Sequence, residues 1–281
     1  MINALSIDLE YWYNPELVKD YYNFHHLGNR ANQDQIVEAV TPLLNLLDEF
    51  KTKATFFVLG VVAEEYPELI EMIYEKGHEI GSHAYSHKTL YELGKGGFED
   101  EIKLSVGLLR GITKERPIGF RAPSFSINNS TKWAFEILEK YGFKYDSSVF
   151  PIKTKLYGVY NAPLHVYKPS IEDITKEDSD GGIVEFPLTV VRMGRNIPIS
   201  GGFYLRAIPF KALKFAIKKV NNTRPAVIYV HPWETYPKTP RLNLPMRSRF
   251  ITYYGIGSAI KKLNGLLKGF KFAPMSEVLR L

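Results

Sequence analysis

Two histidines stand four positions apart in the run Gly81-Ser82-His83-Ala84-Tyr85-Ser86-His87. A tight turn at Gly81-Ser82 followed by one helical turn would bring both imidazoles to the same side. Two imidazoles on one side are half of what zinc or another divalent cation needs. The chain has no cysteine in 281 residues, so the anionic ligands of a tightly held metal must be carboxylates. Asp8-Leu9-Glu10 offers two. In an extended strand, residues two apart share a face, so one of Asp8 and Glu10 could bind metal while the other acts as a base. The spacing alone leaves open which does which.

Further ionisable side chains fall at comparable places. Arg121 ends the apolar run IGFR, Asp146 follows FKY, and His231 ends AVIYV. One polar residue at a strand end is ordinarily a solvated loop start. Five separate segments that each end in one point to a single rim where these groups meet. His25 and His26, in a loop, read as ordinary surface residues.

The elements that must hold these groups alternate. Ala4–Asp8 (ALSID) reads as a buried strand, and apolar residues at 36, 37, 40, 43, 44, 47 and 50 give a helical period. Ala54–Val58 is a second strand, 61–76 a helix stopped by Gly77, and His78–Gly81 a short strand. A helix over 98–115, the strand ending at Arg121 and a helix over 130–141 follow. Strand-helix alternation argues for a parallel sheet covered by helices. Between 150 and 205 Pro, Tyr and Gly become frequent, which predicts loops and short antiparallel strands, IVEFPLTVV among them. Alternation resumes with a helix at 209–221, the strand 226–230, a helix at 248–267 and a final FKFAP strand. The expectation is an α/β fold, a distorted (β/α) barrel with an irregular, partly antiparallel insertion around 150–205, and one domain over 1–281. A barrel of this kind takes about 250 residues and gathers its chemistry at the C-terminal ends of its strands.

Composition narrows the class. Hydrophobic residues make up 45% of the chain, too many for disorder. The net charge of +6, from 36 Lys and Arg against 30 Asp and Glu, reads as spread along the chain rather than clustered, which argues against a nucleic-acid binder. The opening MINALSIDLE lacks the basic start and apolar stretch of a signal peptide. No run approaches the ~18 apolar residues of a membrane span. These features predict a cytoplasmic protein without a transmembrane segment.

The motifs together resemble the polysaccharide deacetylases with NodB homology, carbohydrate esterase family four. LSIDLE stands where that family has an acidic pair ending its first strand, and GSHAYSH resembles its His-x-x-x-His metal motif. GFRAPSF resembles its Arg-x-Pro motif, and VIYVHPWE its closing apolar strand and His. SGGFYLRAIP and HPWE are more similar to a branch associated with exopolysaccharide biosynthesis. The chain departs from the pattern in three places. Leu9 separates the acids, Ser124 replaces an aromatic residue, and Asp146-Ser147-Ser148 stands in for an Asp-x-x-x-Trp motif.

The resemblance implies a metal-dependent hydrolase, commonly zinc-loaded, that removes N-acetyl groups from sugars of a glycan. Residue chemistry is compatible with that. Glu10, His83 and His87 would bind the metal, and Asp8, short and beside Arg121, would be the base; the reverse roles for Asp8 and Glu10 are the alternative. His231 would protonate the departing amine, with Asp146 holding its tautomer. A backbone N–H near Ser124 would face the oxyanion. Trp12, Phe125, Tyr204 and Trp233 would meet the sugar's apolar face. Two rivals are an allantoinase-like amidohydrolase on a small amide and an inactive glycan-binding protein that lost its base through the Leu9 change.

Overall fold

A computed structural model describes residues 1–19, 21, 35–154 and 157–281; His25 and His26 lie outside them. The chain runs through β1 (Ile2–Leu9), α1 (Glu16–Lys19), α2 (Gln35–Glu49), β2 (Thr55–Val58), α3 (Gly60–Glu65), α4 (Pro67–Glu75) and β3 (Glu79–Ser82). It continues with α5 (Leu90–Thr113), β4 (Gly119–Phe120), α6 (Ala134–Lys140), β5 (Tyr145–Asp146) and β6 (Val184–Glu185). A hairpin, β7 (Val190–Met193) and β8 (Arg195–Pro198), leads to α7 (Gly202–Ala207), α8 (Phe210–Asn221), β9 (Val227–Val230) and α9 (Pro232–Thr235). The last elements are α10 (Met246–Tyr253), α11 (Ile256–Gly269), β10 (Lys271–Ala273) and α12 (Met275–Leu279).

Eight strands form one parallel sheet in the order β10-β1-β2-β3-β4-β5-β6, with β9 also on β1. The strand β1 has three partners: Ile2–Ala4 pairs with β10, Ala4–Ile7 with β9, and Ser6–Leu9 with β2. Runs such as TFFV and VIYV are buried throughout, as strands covered on both faces must be. Among the described residues no ladder joins β6 to β9, so the sheet curls into a part-barrel. Ile36, Val40, Leu43 and Leu47 of α2 pack in one cluster with Leu5, Ile7, Phe56 and Val58. At about 1.5–3 kcal/mol per large apolar side chain buried, these contacts hold the first two strands in register.

The expected alternation is present, with local differences. The helix expected at 61–76 is two, because Pro67 opens α4 at its first turn and cannot continue α3. The helix expected at 248–267 is likewise two, α10 and α11, separated at Gly255 with φ 73°. In IVEFPLTVV, Val190 and Val191 join an antiparallel hairpin turning at Gly194 (φ 74°), and Glu185 makes an isolated antiparallel bridge with Tyr167. Val184–Glu185 also extends the main sheet parallel to β5.

Candidate active site

The C-terminal ends of β1, β3, β4 and β9 converge on one cavity of about 860 Å³, whose wall includes Asp8, Glu10, His83, His87 and His231. Asp8 lies in β1 and Glu10 one residue past its end, so both side chains point the same way. Both are buried.

Arg121 follows β4 and is fully buried, a position that is costly for a charge unless every donor finds an acceptor. Its Nη1 donates to Asp8 Oδ1 at 2.6 Å and to Ser6 Oγ at 2.8 Å. Its Nε and Nη2 donate to the Ser147 carbonyl and hydroxyl, each at 2.9 Å. The guanidinium also lies 4.4 Å from the Phe57 ring centroid and 5.2 Å from that of Tyr229. Asp8 is thereby fixed through Oδ1, while Oδ2 lies 3.8 Å from His231 Nε2.

Glu10, His83 and His87 form a separate group whose ligand atoms all lie within 4.8 Å of one another. Glu10 Oε2 is 2.6 Å from His87 Nε2 and 3.9 Å from His83 Nε2. His83 Nδ1 is 2.7 Å from the Arg121 backbone carbonyl. A carbonyl only accepts, so Nδ1 carries the proton and Nε2 keeps the lone pair that a metal needs. Burial, and then the neighbouring His87, pull the His83 pKa down to about 3, which keeps it neutral. Burial works to raise the Glu10 carboxyl, but His87, His231 and His83 together hold it below the ordinary value. Two neutral-capable imidazoles and an anionic carboxylate, buried and converging, fit a divalent cation.

The histidine loop is not the helical turn expected from the spacing. Ala84 and His87 have left-handed backbone, with φ 61° and 66°, and α5 starts only at Leu90. The loop is held by Glu101 of α5. Its Oε2 accepts from the backbone N–H of Tyr85 at 3.1 Å and of Ser86 at 3.2 Å, and its Oε1 accepts from the Ser86 hydroxyl. Gly81 enters the loop close to β2 and β4. A Cβ there would meet the Phe57 ring at 2.7 Å and the Gly119 carbonyl at 3.0 Å.

His231 caps the N-terminus of α9. Its Nδ1 is 2.6 Å from Glu234 Oε2, and Arg206 Nη2 donates to Glu234 Oε1 at 2.7 Å. Gly202 makes room for this pair, since any Cβ there would overlap the Glu234 carboxylate. Burial alone would lower the His231 pKa, but Glu10, Glu234 and Asp8 outweigh it and raise it to about 9. Burial would raise Glu234, yet Arg206 and His231 bring it down to about 2.

Asp146, expected beside His231, is elsewhere. It accepts from Ser148 Oγ at 2.6 Å and Ser148 N–H at 3.1 Å. Ser148 Oγ in turn accepts from the Ala122 N–H at 2.7 Å, so the Asp146-Ser147-Ser148 run braces Arg121 and the residue after it. The partner of His231 is Glu234, which the sequence reading missed. The signal was present, because a Glu three residues after a helix cap is a capping-box position. Arg206 had no comparable signal.

Ser124, Phe125, Tyr204 and Trp233 line the cavity, and so does Tyr157, which was not anticipated. Ser124 donates its hydroxyl to Glu16 at 3.0 Å. Trp233 donates its ring N–H to Glu10 Oε1 at 3.2 Å and stacks on His231. Trp12 does not line the cavity. It is buried in a cluster with Val18, Trp233, Leu244 and Ile256, so it packs the wall from behind.

A curled parallel sheet with a two-histidine, one-carboxylate cluster at its strand ends defines a barrel-type protein with a group that could hold a metal. Residues 32–145 match the family model described as Polysaccharide deacetylase, and residues 147–280 match Domain of unknown function (DUF3473). The first of these matches contains His83 and His87, and over it the chain is similar to polysaccharide deacetylases. A peptidoglycan deacetylase of Helicobacter pylori is 37% identical over 107 residues, covering 38% of this chain and 36% of that protein. The chain spans about a third to two-fifths of the length of such curated relatives. In fold, it is similar to a putative polysaccharide deacetylase from Mycobacterium smegmatis, with a TM-score of 0.60 and 20% identity over 99% of this chain and 90% of the other. It is similar to the same degree to Puue allantoinase, with a TM-score of 0.60 and 14% identity over 99% and 88%. No described helix is long and apolar enough to cross a membrane.

Proposed function

We propose that residues 1–281 act as one catalytic unit, a metal-dependent hydrolase that removes N-acetyl groups from amino sugars of a glycan. The observation that carries this reading is a cavity where Asp8–Arg121 and His231–Glu234 meet beside the Glu10, His83 and His87 cluster, with His231 Nε2 3.8 Å from Asp8 Oδ2 and 3.5 Å from Glu10 Oε1. The unit is single because the two matched segments share the cavity: His83 and His87 fall in one, His231 and Glu234 in the other.

Glu10, His83 and His87 would hold the cation, and two nitrogens with one carboxylate suit zinc. When bound, the cation polarises the amide carbonyl and acidifies water. Asp8 takes the proton of the attacking water at Oδ2, while Arg121 keeps Oδ1 fixed. His231 gives its Nε2 proton to the departing nitrogen as the C–N bond breaks, releasing acetate and the free amine. Glu234 holds His231 by Nδ1, so Nε2 is the nitrogen presented to the cavity. A positioned acid or base of this kind contributes about 100- to 10,000-fold in rate.

The glycan reading is favoured by the cavity. Its volume lies toward the upper end of the roughly 300–1,000 Å³ usual for ligand sites, and Phe125, Tyr157, Tyr204 and Trp233 give it aromatic walls for sugar faces. The name of the Helicobacter pylori relative points to the same substrate class. Likeness to an allantoinase concerns the fold alone, and both Asp8 and Glu10 face the cavity despite Leu9. Acetate release from N-acetylated chito-oligosaccharides, run beside calorimetric binding, tests the reading. Turnover supports it. Binding without turnover would mean a glycan-binding protein, and neither result would turn attention to small amides.

A further inference from the structure

The charge of this chain is divided very unevenly. Residues 186–276 contain sixteen Lys and Arg and one acid, Glu234, a balance of +15. The remaining residues contain twenty Lys and Arg against twenty-nine acids, a balance of −9, which together restore the overall +6. The even spread expected from composition does not hold. The single acid of the basic segment is buried between His231 and Arg206 and offsets nothing at the surface.

Within this segment α10 forms part of the cavity wall through Arg247, Ser248 and Ile251. Its outer side is apolar and open. Met246 and Phe250 of α10, with Tyr254 at its end, are 89%, 52% and 47% exposed. Four-residue spacing puts the three on one face. Arg247 and Arg249 beside them are exposed and have no ion pair among the described residues. Exposed apolar side chains scattered singly are ordinary. Three large ones in a row, flanked by arginines without ion pairs in a segment of +15, offer apolar side chains and cations together to an anionic lipid surface. Nucleic acid could also use arginines and rings, so duplex DNA is the rival occupant in the test.

We infer that α10 docks this protein peripherally on an anionic lipid bilayer. Met246, Phe250 and Tyr254 enter the headgroup region, and Arg249 with its basic neighbours meets lipid phosphates. Because the same helix walls the cavity, docking sets the cavity mouth at the membrane surface, within reach of a glycan presented there. The inference does not depend on the deacetylase reading, and its test uses no activity.

The test is cosedimentation of the 281-residue chain with vesicles of phosphatidylcholine alone and of equimolar phosphatidylcholine and phosphatidylglycerol. Binding is expected only to the mixed vesicles. Met246→Asp should weaken it about tenfold or more by removing one buried apolar side chain. Arg249→Gln should weaken it roughly fivefold, the share of one surface cation. Both positions are exposed, so thermal unfolding should stay as in the parent. The inference is overturned if mixed vesicles are not bound, or if Met246→Asp binds them as well as the parent does. Tighter binding to duplex DNA than to mixed vesicles in the same salt also overturns it, and makes the segment a general polyanion surface.

Discussion

His231 Nδ1 lies 2.6 Å from the carboxylate of Glu234, three residues along the same short helix. The proposed acid and its orienting carboxylate are therefore one local unit, set by a single turn of backbone rather than by distant loops. Arg206 and the missing side chain at Gly202 fit that unit into the cavity wall.

Glu234→Gln should keep the metal and lower kcat by about 10- to 100-fold, the usual cost of losing an orienting partner. Thermal stability should fall too, because Arg206 is left buried beside a neutral group. Metal content measured with kcat checks this. An unchanged kcat would remove Glu234 from the mechanism.

Asp8→Asn and Glu10→Gln should differ in kind. Asp8 is tied to Arg121, so its amide variant should retain metal and lose turnover. Glu10 is within 4.8 Å of both imidazoles at its ligand atom, so its amide variant should lose metal affinity. Elemental analysis and acetate release on both variants decide it, and the opposite pattern reverses the two roles.

Glu101→Ala should weaken metal binding by about 10- to 100-fold, as loss of an outer support does. Three hydrogen bonds to the loop between His83 and His87 end on this one carboxylate. Chelator competition reads the affinity directly. Glu101→Gln, which keeps one oxygen acceptor, should recover part of it, whereas a merely structural residue would alter melting without altering affinity.

Asp146 and Glu185 are buried neighbours, and burial raises both carboxyls, Glu185 well above its ordinary 4.5 with the Asp146 charge adding to it. Glu185 Oε1 accepts from the Val149 N–H at 3.0 Å, and its other oxygen has a partner only when the two carboxyls share a proton. Raised carboxyl values mean stability that is complete at low pH and lost as pH climbs from about 4.5 through the raised value. Glu185→Gln removes that loss. The variant should gain stability relative to the parent as pH rises over this window, measured by denaturant unfolding. A difference that does not vary with pH would show that no proton is shared.

Much of this site was readable in the sequence because strand ends carry its groups. Asp8, Arg121 and His231 each close an apolar run, and parallel strands bring such ends to one rim. What escaped depended on backbone geometry that spacing does not encode. His83 and His87 have helical spacing, yet left-handed residues at Ala84 and His87 hold them in a loop. Trp12 is near Glu10 in sequence, but the chain turns its ring into the core. Strands β4, β5 and β6 have two residues each, too few for any periodicity, so Asp146 could not be oriented in advance. The clustered charge was visible all along and was hidden only by averaging over the whole chain.

The three partners of β1 impose an order on synthesis. This strand is made well before two of its partners, residues 227–230 and 271–273. Pairing with β2 can form on the nascent chain, and Glu10, His83 and His87 all exist once residue 87 has been added. Their companions His231 and Glu234, just past β9, emerge some 140 residues later. A ribosome-bound chain thus has the proposed metal ligands long before the proposed proton donor, with one edge of β1 open meanwhile. Such an edge invites mispairing, and chains stalled before residue 227 are where protease sensitivity of β1 should be greatest.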